Sequence, residues 1–267
     1  MNHSRQSFAA RTTGLLALAA VLAGMYLPVV MTFIYSFNAS RIGTVWTGFS
    51  LQGYADLWAA EDLWQALAMS AAIGAAASTL SVLLGGMAAL GLRRWRPRAR
   101  GMAQGMIALP LVTPEVIIAL SLAMFFSALS VEQGWSTVVA AHCVFGISYA
   151  FVVLSGAVND LDDTLYAAAL DCGATPWQAY RRIILPILMP SIAVAWLFVF
   201  ALSFDEFIIT FLTKGPGTDT LPIKIYAQMR FGIKPQTSAL FVVLFTITFC
   251  GAALASWLVP RRSAALS

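Results

Sequence analysis

The sequence predicts an all-α protein: a polytopic transmembrane helical bundle with six spans and short coupling helices on the cytoplasmic side. Of the 267 residues, 60% are hydrophobic and only 10% are charged, whereas soluble domains average about 25% charged residues. The mean hydropathy of +0.80 is too apolar for a surface in water or for a disordered chain. The apolar residues form long continuous runs rather than the alternating segments of roughly ten residues that indicate a β-barrel.

Six apolar runs are each long enough for a helix that crosses a bilayer, which takes roughly 20 residues. The first run resembles a secretion signal, but it continues to Phe37, so we expect an uncleaved span. In the third run, Pro110 and Pro114 predict a kink. Together the runs define a transmembrane domain over residues 14–259, with spans near 14–37, 65–92, 102–129, 136–158, 187–212 and 237–259.

The basic residues predict the orientation of the bundle. With six spans both termini lie on one side, and that side collects 11 of the 16 lysines and arginines. Because cytoplasmic loops are enriched in Lys and Arg, we expect the terminal segments 1–13 and 260–267 to be cytoplasmic and residues 38–64 and 213–236 to be external loops. The cytoplasmic set is Arg5, Arg11, Arg93, Arg94, Arg96, Arg98, Arg100, Arg181, Arg182, Arg261 and Arg262; the external set is Arg41, Lys214, Lys224, Arg230 and Lys234.

The longest internal loop, residues 159–186, predicts two short cytoplasmic helices that meet at a glycine. Asp162 or Asp163 can cap the first helix, which we expect to run through Ala169. Gly173 supplies the left-handed residue that ends it. Thr175 then caps a second helix whose first residue is a proline. A slim, alanine-rich helix with a glycine elbow would allow another protein's backbone to approach closely.

The same loop resembles the signature loop of importer permeases of the ATP-binding-cassette family. The family pattern is Glu-Ala-Ala, three residues, Gly, nine residues, Ile, one residue and Leu-Pro. Ala167 replaces the family glutamate, and Asp163 or Asp171 could substitute for it. The positions in register, which the resemblance implies dock on an ATPase subunit, are Ala168, Ala169, Gly173, Ile183, Leu185 and Pro186.

Four further stretches are similar to the spermidine/putrescine group of these permeases, and the resemblance covers the chain from about residue 54 onward. The stretches are residues 110–115, 203–207, 215–226 and 229–235. The resemblance implies a permease subunit in a bacterial inner (plasma) membrane that moves a small cationic solute, a polyamine such as putrescine or spermidine being favoured. It also implies separate ATPase subunits, a periplasmic or external solute-binding protein, and a second permease subunit, with a heterodimer favoured over a homodimer.

The sequence lacks the phosphate-binding loop Gly-x-x-x-x-Gly-Lys-[Ser/Thr]. We therefore expect no cofactor in this chain, and expect ATP to be bound by a partner subunit. Cys143, Cys172 and Cys250 are scattered, which predicts neither a disulfide framework nor a metal site. The small net charge of +4 gives no reason to expect nucleic acid as a partner.

Three carboxylates fall within predicted spans, namely Glu115, Asp205 and Glu206, and no span contains a Lys or Arg to pair with them. A lone charge near the bilayer centre costs at least ~2.5–3.5 kcal/mol, so such residues usually face a pathway or a partner. Carboxylates can replace the water around a cationic amine, and aromatic faces add cation–π attraction. Adjacent residues are about 100° apart on a helix, so we do not expect Asp205 and Glu206 both to face one lumen. Asp205 and Glu115 are favoured for the substrate pathway, and Glu206 is the third candidate. Nearby aromatic candidates are Trp196, Phe204 and Phe207.

Two other functions remain open at this point. An ion-coupled secondary carrier would need no ATPase, but such carriers usually show inverted repeats with broken helices, and no clear repeat is visible. An intramembrane acid protease could use Glu115 and Asp205, but no catalytic motif surrounds them. His142, alone in the fourth span, is more typical of a packed, hydrogen-bonded residue than of a ligand.

Overall fold

The computed structural model describes residues 2–40, 45–229, 232 and 234–258, and the side chains of those between 14 and 250. Predictions for Arg41, Arg230 and the tail 260–267 concern residues outside this set. The described residues form α1 (Asn2–Tyr35), α2 (Gln52–Ala59), α3 (Glu61–Leu92), α4 (Pro97–Val112), α5 (Glu115–Ala128), α6 (Trp135–Asn159), α7 (Asp163–Asp171), α8 (Pro176–Ala179), a π-helical turn (Tyr180–Ile184), α9 (Leu185–Asp205), α10 (Ile208–Thr213), α11 (Leu221–Met229) and α12 (Pro235–Leu258).

The apolar helices match the predicted runs in position. Within the described residues, four are long and apolar enough to cross a membrane: Gly14–Tyr35, Glu61–Leu92, Trp135–Asn159 and Pro176–Asp205. The pair α4 and α5 forms a broken fifth candidate, and α12 contains a shorter apolar stretch, Pro235–Cys250. The all-α fold is therefore confirmed, and six crossings are compatible with it.

Two of the predicted runs are not continuous helices. α4 and α5 meet at an angle of 102°, a sharper change than a kink. Pro114 cannot donate a backbone hydrogen bond, and both Thr113 and Pro114 are extended (ψ 131° and 132°), so α4 ends before α5 begins. The fifth run, expected to be one helix over 187–212, ends at Asp205 and restarts at Ile208 as α10.

The chain divides into two compact units, Met1–Glu61 with Ile225–Ser267, and Asp62–Lys224. In the first unit, α2 packs on α12, and a Cβ on Gly53 would lie only 3.0 Å from the side chain of Pro235. The Tyr54 hydroxyl lies 2.9 Å from that of Ser36 at the end of α1. These contacts join the first and last apolar helices through the segment that follows α1.

The core of the second unit is built around α6, which packs against α3, α4, α9 and α10. The crossing of α3 and α6 is close, because a Cβ on Gly85 would lie 2.9 Å from the backbone nitrogen of Phe151. The apolar side chains at this centre are those of Val82, Ala150, Phe151, Leu154, Ala195 and Val199. α6 thus positions the helices that contain the candidate site.

Polar contacts mark the two ends of the second unit. At one end, Arg100 donates to the Asn159 side chain (2.7 Å) and Arg93 pairs with Asp163 (2.9 Å). Asp62 and Lys224 pair at 3.8 Å elsewhere, where α3 begins. The basic loop after α3 and the segment after α6 therefore lie together, as the charge pattern predicts. That this end is cytoplasmic stays a prediction.

Candidate functional site

All three membrane carboxylates, Glu115, Asp205 and Glu206, line one cavity of about 530 Å³. The remaining lining is apolar and comes from α9, from α10 and from Phe207 between them. These side chains are Phe198, Ala201, Leu202, Phe207 and Ile208. The cavity combines concentrated negative charge with aromatic and aliphatic walls.

Glu115 reaches this cavity because of the break between α4 and α5. It is the first residue of α5 and directly follows Pro114. A helix N-terminus carries a partial positive charge, which favours a carboxylate there. The proline break therefore places the Glu115 carboxylate at a helix N-terminus, where its negative charge is stabilised.

Glu206 lies in the break between α9 and α10. Its backbone is extended (φ −69°, ψ 117°), which ends α9. Its side-chain Oε1 accepts a hydrogen bond from the backbone N–H of Ile209 (2.9 Å), and its carbonyl accepts one from the hydroxyl of Thr210 (3.0 Å). Glu206 therefore caps α10 as well as lining the cavity.

The expectation that Asp205 and Glu206 would not both face one space is wrong, because both line this cavity. The 100° separation applies to neighbours on one helix, but the helix stops between these two residues. The extended residue at 206 redirects the chain, so both carboxylates line the same cavity.

The aromatic predictions hold in part. Phe207 lines the cavity, whereas Trp196 stacks on Phe200 with ring centroids 5.2 Å apart, and Phe204 packs on the same ring at 5.8 Å. Phe198 lines the cavity and was missed. The signal was present, since residues seven apart lie on the same face of a helix, and Phe198 precedes Asp205 by seven.

The two short helices that meet at Gly173, here called the elbow, form as predicted, and their cytoplasmic location stays a prediction. Asp162 caps α7, its carboxylate accepting from the backbone N–H of Thr164 (2.9 Å), and these hydrogen bonds hold the pKa of Asp162 below its usual value. Gly173 has a φ of +84°, the left-handed conformation that glycine adopts without strain. Thr175 and Gln178 then cap α8 reciprocally. α7 ends at Asp171, two residues beyond the expected end.

The signature-loop residues differ in exposure and in the element to which they belong. Ala168, Gly173, Leu185 and Pro186 are exposed, Ile183 is half-buried and Ala169 is buried. Ile183, Leu185 and Pro186 lie in a long helix instead of a loop, because α8, the π-turn and α9 form one 30-residue helix, Pro176–Asp205. The elbow therefore joins directly onto the helix that ends at Asp205.

Two arginines at the end of α3 hold the elbow, an arrangement not foreseen from the sequence. Arg93 pairs with Asp163 (2.9 Å) and donates to the carbonyl of Leu161 (2.6 Å). Arg94 lies over the ring of Tyr166, 5.5 Å from its centroid, and donates to the hydroxyl of Tyr180 (3.1 Å). Asp163, a candidate to replace the family glutamate, thus pairs within its own chain. We call the side chains of Arg93, Arg94, Asp163, Tyr166 and Tyr180 the arginine clamp.

His142 is buried and hydrogen-bonded on both ring nitrogens, as expected of a packed histidine. Its Nδ1 lies 2.6 Å from the hydroxyl of Ser203 on α9, and its Nε2 lies 2.9 Å from that of Thr210 on α10.

Residues 81–264 match the profile of the family described as binding-protein-dependent transport system inner membrane component. The chain belongs to this family. The putrescine transport system permease protein PotI of Escherichia coli K12 is 38% identical over 227 residues, covering 82% of this chain and 81% of PotI. The spermidine/putrescine transport system permease protein PotC of the same strain is 30% identical over 244 residues, covering 91% and 92%.

The fold is also similar to that of a chain in a solved transporter. A bacterial ABC transporter that imports the acidic polysaccharide alginate superposes with a TM-score of 0.71 at 17% identity, over 97% of this chain and 98% of that one. Membership in the family confirms a non-enzymatic transport subunit of an inner membrane. A transport component is not a protease, so the family also rules against the acid-protease alternative.

Proposed function

We propose that the chain is the permease subunit of an ATP-binding-cassette importer for a small cationic organic solute, with a polyamine such as putrescine or spermidine favoured. The observation that carries this proposal is the convergence of Glu115, Asp205 and Glu206 in one cavity. The names of the relatives PotI and PotC point to the same solutes.

The chemistry of the cavity suits an amine with several charges. Alkyl ammonium groups have pKa values of about 10.4, so they are cationic at neutral pH. Each could replace its lost hydration with a carboxylate from Glu115, Asp205 or Glu206. The methylene chain between the charges would pack on Phe198 and Phe207, whose faces also attract cations. A neutral or anionic solute would leave the carboxylates uncompensated.

The driving force would come from ATPase subunits that dock on the elbow, with ATP bound in those partners and no cofactor in this chain. Ala168 and Gly173 present a slim exposed surface there. The helix Pro176–Asp205 would transmit the movement, since its 30 residues span about 45 Å at a rise of ~1.5 Å per residue. The arginine clamp would move the end of α3 together with the elbow. This is rigid-body rocking of the kind that produces alternating access.

The remaining parts of the assembly follow from the same proposal. A second permease subunit, in a heterodimer rather than a homodimer, would complete the pathway, and a periplasmic binding protein would deliver the solute. The spans near 14–37, 65–92, 102–129, 136–158, 187–212 and 237–259 would place segments 1–13 and 260–267 in the cytoplasm. The side-by-side packing of the basic loop 93–100 and the segment 159–163 supports that sidedness.

The test is copurification from native membranes followed by solute-stimulated ATPase assays with diamines, triamines and amino acids. We expect an ATPase to copurify and the amines to stimulate it more than the amino acids do. Asp205→Asn should lower uptake while the complex still assembles, whereas Asp56→Asn, at an exposed position of α2, should leave uptake unchanged. Equal stimulation by uncharged or anionic solutes would contradict the proposal.

A further inference from the structure

We propose that His142 is a positioning residue that fixes the break between α9 and α10 and thereby holds Asp205 and Glu206 in the acidic cavity. This inference rests on the proposed role of the cavity, but part of its test needs no solute. His142 is outside the cavity lining, so any effect it has on the cavity must pass through other residues.

The hydrogen bonds form one continuous chain across the break. Thr210 donates its single hydroxyl proton to the carbonyl of Glu206 (3.0 Å). The same hydroxyl must therefore accept from Nε2 of His142, 2.9 Å away. With its one proton on Nε2, the imidazole accepts at Nδ1 from the hydroxyl of Ser203, 2.6 Å away. The ring thus joins the last turn of α9 to the first turn of α10.

This series of hydrogen bonds replaces a backbone hydrogen bond that is lost where α9 ends. In a continuous helix the carbonyl of Glu206 would accept the backbone N–H of residue 210; here the side chain of Thr210 takes that place. Ser203, Thr210 and His142 are at most 3% exposed, so water cannot readily substitute for a lost partner. Leaving a buried donor or acceptor unpaired is unfavourable, which favours the single geometry in which all are paired.

α6 contacts α10 at a second position besides His142. The hydroxyl of Thr137, five residues before His142, lies 2.8 Å from the carbonyl of Thr213, the last residue of α10. The ring of Phe145 packs near that of His142 (5.6 Å between centroids) within the cluster that includes Ile209. α10 is therefore hydrogen-bonded to α6 at two positions, through His142 at Thr210 and through Thr137 at Thr213.

The test uses the complete transport complex in lipid nanodiscs and vesicles, with His142→Ala, His142→Asn and His142→Gln. The amide oxygen of Asn can take the place of Nδ1 and accept from Ser203, whereas the amide nitrogen of Gln can take the place of Nε2 and donate to Thr210. His142→Ala should raise the KM for putrescine about tenfold, equivalent to about 1.4 kcal/mol, and should speed hydrogen–deuterium exchange in segment 204–211 by a similar factor. His142→Gln, which keeps the bond to Thr210, should stay closer to wild type than His142→Asn.

The matched control is Cys143→Ala, a neighbouring buried position whose sulfur faces the carbonyl of Ala77 on α3 instead of the break. It should alter neither KM nor exchange in 204–211. Wild-type exchange and KM in all His142 variants, or equal harm from Cys143→Ala, would overturn the positioning role. If the wild-type complex takes up no amine, the proposed function fails, while the exchange data alone still decide whether His142 fixes the break.

Discussion

Glu206 has two roles that substitution can separate. Its charge lines the acidic cavity, and its Oε1 caps α10 by accepting the N–H of Ile209. Glu206→Gln keeps a side-chain oxygen that can accept the same hydrogen bond but removes the charge. Glu206→Ala removes both. The two variants should therefore impair transport alike and differ in the stability of the complex.

The magnitudes follow from the contacts. A hydrogen bond to a charged group contributes ~1.5–3 kcal/mol, so Glu206→Gln should raise the KM for putrescine by about 10- to 150-fold. Loss of a helix cap costs about 1 kcal/mol, within a range of ~0.5–2. Glu206→Ala should therefore add a loss of stability of that size, lowering the midpoint of thermal unfolding of the complex.

The assay is ATP-driven uptake of labelled putrescine by the reconstituted complex, together with a thermal-unfolding curve for each variant. Glu132→Gln, an exposed glutamate in the connection between α5 and α6, is the charge-matched control and should resemble wild type. An unchanged KM in Glu206→Gln would refute the pathway role. Equal unfolding midpoints for the Gln and Ala variants would refute the capping role.

Three further substitutions test the elbow and the packing. Gly173→Val should abolish ATPase copurification because its φ of +84° strains a β-branched residue, whereas Gly173→Asn should keep it; retention by the Val variant would contradict docking there. Arg93→Ala should lower amine-stimulated ATPase activity more than Asp163→Asn does, because Arg93 also donates to a backbone carbonyl and the exposed ion pair itself contributes only ~0–1 kcal/mol; the reverse order would contradict the clamp. Gly85→Ala should destabilise the protein by ~1–3 kcal/mol in thermal unfolding through overpacking. Gly91→Ala should not, because a Cβ added there would have no other atom within 4 Å. Equal unfolding midpoints for the two variants would show that the close crossing of α3 and α6 is not needed.

The elbow could be predicted from the sequence because its determinants are local. A capping side chain at Asp162, a left-handed glycine at 173 and the Thr175–Pro176 start act within a few residues. The same is true of the break at Pro114, although its angle of 102° exceeds what a proline alone predicts. Local backbone chemistry therefore accounts for where these helices begin and end.

The acidic cavity could be predicted only in part, because it depends on contacts between distant residues. Residues 203–210 contain no proline or glycine to signal the break at Glu206. That break is accompanied by bonds from His142, more than 60 positions earlier in the sequence. The arginine clamp also depends on distant residues, since three helices (α4, α5 and α6) separate Arg93 from Asp163 in the sequence. Charge placement could identify the carboxylates, but only the fold brings them together.

The most direct measurement is a structure of the assembled complex, determined by electron cryo-microscopy with putrescine bound in the permease. The expected result is an ammonium group within about 3 Å of carboxylate oxygens from at least two of Glu115, Asp205 and Glu206, with the methylenes against Phe198 or Phe207. Putrescine bound away from these carboxylates, or carboxylates paired instead with basic residues of the second permease subunit, would contradict a cation pathway through this cavity.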